Sequence, residues 1–190
     1  LYRYFFIYVL LFLWVIVMVF NELYKLQTEL DKTIHKQHKT NYKDTMDKRI
    51  MAFIVELGEF ANETRCFKYW SLKGPSPKDI ILEEYIDGIH FILSLGIANK
   101  CDINKDYEVE TSKEDLTSVF LDVYKLASVF KEEKTLDNYY TLFERFLKLG
   151  YLCGFNMLDI HEAYLRKNKI NYKFDVPAIE VSEEIMCKMA

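Results

Sequence analysis

Apolar residues recur at helical spacing along almost the whole chain. Leu23, Leu26, Leu30 and Ile34 follow one another at steps of three, four and four, the stripe that one face of a helix needs to meet a core. Asn21 stands just before them as a residue suited to capping a helix start. A polar stretch, 35–44, separates this helix from a second at about 45–66, whose apolar face carries Ile50, Phe53, Ile54, Leu57 and Phe60. The segment 71–78, S-L-K-G-P-S-P-K, holds two of the three prolines and reads as a loop. Ser76 and Pro77 are an N-cap and first-turn pair, with Asp79 at N3, for a third helix to about Leu95, where Gly96 is a natural stop. Residues 99–110 are polar. Thr111 with Glu114 makes a capping-box pattern before Leu116, Val119, Phe120, Val123, Leu126, Ala127 and Phe130. A fifth helix spans about 135–152, burying Leu142, Phe143, Phe146 and Leu147, and Asn156 with Asp159 opens a last one to about Asn168. No strand-like alternation and no repeat is seen. The pattern predicts an all-α bundle of about six helices.

The first twenty residues differ. From Tyr4 to Phe20 there is no charged residue. As a helix, that run rises roughly 25 Å, the lower limit for crossing a bilayer core. Three readings stand side by side: a short membrane anchor, a signal peptide with Arg3 as its basic region, and a start placed upstream of Met18. The chain therefore divides into an extra apolar N-terminal helix (1–20), a helical domain (21–172) and a tail (173–190).

Composition narrows the function. The chain has 190 residues and one domain's worth of core, with 51% hydrophobic and 28% charged residues, which argues against disorder. Its 25 basic and 29 acidic residues leave a net charge of −4, unlike a general nucleic-acid binder. Cys66, Cys101, Cys153 and Cys187 form no C-x-x-C pair and read as reduced thiols of a cytoplasmic protein. Gly-rich phosphate loops, G-x-S-x-G and H-E-x-x-H are absent.

Two acidic pairs carry the candidate chemistry. Glu56 and Glu59 are i,i+3 on the second helix, and Glu84 and Asp87 repeat that spacing on the third. Helices joined by a short loop pack as antiparallel neighbours, so the pairs can face each other. Four carboxylates brought together repel and lose hydration unless cations neutralise them. Hard cations such as Mg²⁺ take carboxylate oxygens together with substrate phosphates and can activate a water.

These residues carry a family resemblance. ELGEFANETRCFKYWS (56–71) followed by EEYIDGIHFILSLG (83–96) resembles the dimeric dUTPases of the all-α nucleotide pyrophosphatase superfamily, which also holds MazG-type enzymes. Its hallmark is E-x-x-E, a gap, then E-x-x-D; here Glu59 and Glu84 enclose twenty-four residues. The resemblance covers about residues 20–172. It implies that Glu56, Glu59, Glu84 and Asp87 hold Mg²⁺, with Glu56 or Glu59 also orienting or deprotonating water. It implies that Gln27 reads the uracil edge, that Phe91 packs on the nucleoside, and that Lys167 and Asn171 contact phosphates and substrate. His90, Lys68 and Trp70 join the candidate substrate-binding residues, with Tyr69, Tyr164, Arg65, Lys73 and Lys78 nearby. A homodimer is implied, as is hydrolysis of dUTP to dUMP and pyrophosphate. Beyond Asn171 the chain departs from the family's Arg-Gln and Gly-Tyr, with Lys173 a partial replacement for the Arg. A broader MazG-like substrate range and a membrane-anchored interaction protein without catalysis are the alternative functions.

Overall fold

A computed structural model describes residues 2–174, with side chains over 19–172. The described residues form six α-helices and no strand: α1 (Tyr2–His38), α2 (Tyr42–Thr64), α3 (Lys78–Ala98), α4 (Leu116–Glu132), α5 (Leu136–Leu152) and α6 (Met157–Phe174). The bundle expected from the apolar spacing is what the chain adopts. The tail from 175 and the side chains of 1–18, on which the anchor and leader readings rest, lie outside the described residues. Among the described residues no helix is long and apolar enough to cross a membrane.

The central element is α3, which touches α1, α2, α5 and α6. Its sequence suits that place, since Tyr85, Ile86, Ile89, Ile92, Leu93 and Leu95 are all buried. An aromatic stack crosses the middle of the bundle. Tyr85 of α3 lies on Phe146 of α5 with ring centres 4.9 Å apart, and Phe60 of α2 and Phe53 pack edge-on around them. Gly88 makes this contact fit: a Cβ there would stand 2.6 Å from Phe146 Cζ. Edge and stacked aromatic pairs of this kind add to what area burial alone contributes.

Helix ends follow the sequence in part. Asn41, Asp115 and Thr135 accept backbone N–H groups as N-caps of α2, α4 and α5, and Asn156 and Asp159 exchange bonds at the start of α6. Four expectations are corrected. Asn21 is not a cap, because α1 runs through it; its side-chain amide donates to Asn104 across the bundle. Ser76 does not cap α3; its hydroxyl donates to Glu63 of α2, and Pro77 stands at the cap position. Gly96 does not stop α3, which continues to Ala98; it leaves room for the Tyr139 hydroxyl. Glu114 does not close a capping box. Arg145 and Lys148 of α5 engage it instead, and Asp115 caps α4.

Candidate active site

The acidic pairs meet where α2 runs beside α3. Arg49 bonds to Ser94 while Glu56 lies by Asp87, so the two helices are antiparallel. Glu56 sits between buried Phe53 and Phe60, and Glu84 and Asp87 flank buried Tyr85 and Ile86. Core packing on one side of each helix thus turns these acids toward each other on the other side. Carboxylate oxygens of Glu56, Glu84 and Asp87 come within 4.8 Å of one another. Glu59 is exposed and stands at the rim, outside that trio, but its charge acts on all three.

The electrostatics carry the cost of this arrangement. Burial, then the charges of Asp87, Glu59 and Glu84, push Glu56 up to about 7. Burial and like charge raise Glu84 and Asp87 as well. Lys167 of α6 offsets part of this, its ammonium 2.7 Å from Asp87 and 3.4 Å from Glu83. Burial alone would lower Lys167, yet its bonds to those acids outweigh burial and leave it above its ordinary value. Half-buried carboxylates deficient in positive charge, within coordinating reach of one another, fit a hard divalent cation.

A cleft of about 520 Å³ opens beside the trio. Of the residues singled out from sequence, Gln27, Glu56, Asp87, His90, Phe91, Lys167 and Asn171 line it. Lys68 and Trp70 do not. Lys68 donates to Asn62 and lies over the Phe67 ring, while Trp70 is 64% exposed and packs against Phe67 and Tyr69. Arg65, in the left-handed conformation that ends α2, ties this loop through Ser71 and the Lys73 carbonyl. Lys78 pairs with Asp159.

The far end of the cleft is a buried polar network. Gln27 donates through Nε2 to Asp31 at 2.9 Å. Its Oε1 accepts from Tyr164 Oη at 2.8 Å and lies 2.8 Å from His90 Nδ1. An amide oxygen only accepts, so Nδ1 carries the His90 proton and Nε2 keeps its lone pair, buried and without a partner. Burial, helped by Lys167, holds His90 down to about 3, so it is neutral at ordinary pH. The ring stacks on Tyr164 at 4.1 Å. Asp31 in turn accepts from Ser94 at 2.5 Å and pairs with Arg49 at 3.3 Å. Asp31, Arg49 and Ser94 escaped the sequence reading. Asp31 lies four residues after Gln27 on the same face, and Arg49 immediately precedes buried Ile50. Charges set beside apolar stripes were the available signal.

A helical bundle whose second and third helices gather carboxylates at the mouth of a cleft is an all-α chain with an acidic, helix-borne centre. A family model described as dUTPase matches residues 19–175. The chain belongs to this family of all-α dUTPases. Comparison with curated proteins finds no match.

Proposed function

We propose that the chain is a Mg²⁺-dependent dUTP diphosphohydrolase that forms dUMP and pyrophosphate. The observation that carries this reading is the convergence of Glu56, Glu84 and Asp87, with raised carboxyl pKa values, at the mouth of the Gln27 cleft. Family membership supplies the substrate class. Bound Mg²⁺ would neutralise the polyphosphate and acidify a water, the chemistry that metal-assisted hydrolysis requires. Glu56, Glu84 and Asp87 would hold it, with Glu59 adding negative charge from the rim. Glu56, within reach of both Glu84 and Asp87, is placed to orient the attacking water or take its proton. Lys167, bonded to Asp87, stands where a phosphate oxygen can share its ammonium. Phe91 offers an apolar face, and Gln27 and Asn171 offer polar contacts to the nucleoside.

A homodimer belongs to the same proposal. Phe67, Tyr69, Trp70 and Leu72 leave a run of apolar surface open between α2 and α3. Exposed patches of this kind mark interaction sites, and a second copy would cover it.

The test is release of dUMP and pyrophosphate from dUTP, with Mg²⁺ and with chelator, beside dCTP, dTTP and UTP. Mg²⁺-dependent turnover that favours dUTP is expected. A folded protein that releases dUMP at the same rate in chelator, or hydrolyses no nucleotide, refutes the proposal.

A further inference from the structure

The cleft's buried network fixes which end of the Gln27 amide meets a ligand. Asp31 is 2% exposed and paired with Arg49, and a carboxylate so paired only accepts hydrogen bonds. The Gln27 group facing it at 2.9 Å must therefore be the NH₂. Turning the amide over would set carbonyl oxygen against carboxylate oxygen. With the amide so turned, Tyr164 Oη and His90 Nδ1 donate to Oε1 and occupy its two lone pairs. One N–H of Nε2 goes to Asp31. A single N–H is left for a ligand in the cleft that Gln27 lines.

We infer that Asp31, held by Arg49 and Ser94, is a positioning residue that sets base selectivity by presenting Gln27 as a hydrogen-bond donor. The inference rests on the proposed nucleotide hydrolysis and deepens it. An N–H at this point donates to a base carbonyl, as on uracil, and meets the exocyclic amine of cytosine donor to donor. A buried polar group left unpaired is where sites of this kind gain their discrimination.

Asp31→Asn tests the inference with almost no change of shape. The guanidinium of Arg49 and the hydroxyl of Ser94 both lie on the Oδ2 side. The introduced amide would turn its oxygen to Arg49 and its NH₂ to Gln27. Gln27 would then flip and present an acceptor. The expected result is a fall of at least about tenfold in the dUTP over dCTP ratio of kcat/KM, carried by KM, with kcat for dUTP changed less than about threefold. Adding Arg49→Met to Asp31→Asn removes the pull on the introduced amide oxygen and should restore part of the ratio. A merely structural Asp31 would show no such rescue. A folded Asp31→Asn protein that keeps the wild-type ratio overturns the inference.

A ligand-free measurement separates this failure from failure of the functional proposal. In ¹⁵N-labelled wild-type protein, the imidazole nitrogen shifts should place the His90 proton on Nδ1, opposite the Gln27 oxygen. In Asp31→Asn the flipped amide turns its NH₂ to His90, Nδ1 must accept, and the proton should move to Nε2. If wild-type protein shows no preference for dUTP, the uracil reading fails while the His90 tautomer still decides the orientation. The same His90 tautomer in the two proteins overturns the lock whatever the enzyme's substrate.

Discussion

Replacing Glu56 with Gln should stabilise the cation-free protein and abolish its activity. The reason is the direction of the Glu56 shift. Its carboxyl rises from an ordinary 4.5 to about 7 in the fold. Between those values the folded state binds the extra proton, so stability is lost as pH climbs from about 4.5 to about 7, and the full penalty stands above 7. At about 1.4 kcal/mol per pH unit, that gap of about 2.5 units caps the penalty at about 3.4 kcal/mol. Glu56 keeps partial contact with water, and screening brings the expected value to about 1–2 kcal/mol. The neutral amide of the variant escapes the penalty and relieves Asp87 and Glu84, which the Glu56 charge repels. For a chain of this size the gain is a rise of roughly 3–6 °C in Tm. The assay is thermal unfolding of wild type and Glu56→Gln in chelator, at about pH 8 and about pH 5. The variant should be the more stable at the higher pH and level with wild type at the lower. Saturating Mg²⁺ should raise wild type and leave the variant nearly unmoved. A variant equal to or below wild type in chelator at pH 8 would refute the electrostatic account of the cluster.

Three further outcomes follow from the same geometry. Glu59→Gln removes charge from the rim without touching the trio, so half-saturating Mg²⁺ in a turnover titration should rise about tenfold, or about 1.4 kcal/mol of lost attraction. Gly88→Ala would drive a methyl into Phe146 and should cost about 1–3 kcal/mol in urea unfolding. Trp70→Ala takes away an exposed ring, so Tm of the isolated chain should change little. Sedimentation should show dimers weakened if this loop is the surface that a second copy covers.

The helices were legible because core burial imposes a period, and Phe53, Leu57 and Phe60 or Val119, Phe120 and Val123 keep it for several turns. Their ends were less legible because capping residues have rival partners elsewhere in the fold. Glu114 fits a capping box by spacing, but two cations of α5 offer it charged bonds. Gly96 looks like a helix stop, yet its missing side chain serves the Tyr139 ring. In the site, the acidic pairs were readable since i,i+3 spacing fixes a shared face before any tertiary contact exists. Asp31, Arg49 and Ser94 were not. They are joined only when α1, α2 and α3 pack, and no local spacing links residues so far apart in the chain. Lys68 and Trp70 sit on a loop with no period to place them, and they are not among the residues that line the cleft.

The two ends of the cleft differ in charge, and under the proposed function that difference would set how a nucleotide enters. At one end Glu56, Glu59, Glu84 and Asp87 gather with Lys167 bonded to Asp87, leaving an excess of negative charge. At the other, Asp31 is matched by Arg49, and His90 is neutral. A bare triphosphate is repelled by the first end. A triphosphate carrying divalent cations is drawn to it, while the uncharged nucleoside suits the second. On the proposed reading, the cation would be needed for binding as well as for chemistry. Calorimetry should show dUTP binding lost in chelator, weakened by at least about a hundredfold, or about 2.7 kcal/mol. Deoxyuridine, which has no phosphate, should bind equally with and without Mg²⁺. If dUTP binds undiminished in chelator, the acidic end does not meet the phosphates. The nucleotide would then lie the other way round in the cleft.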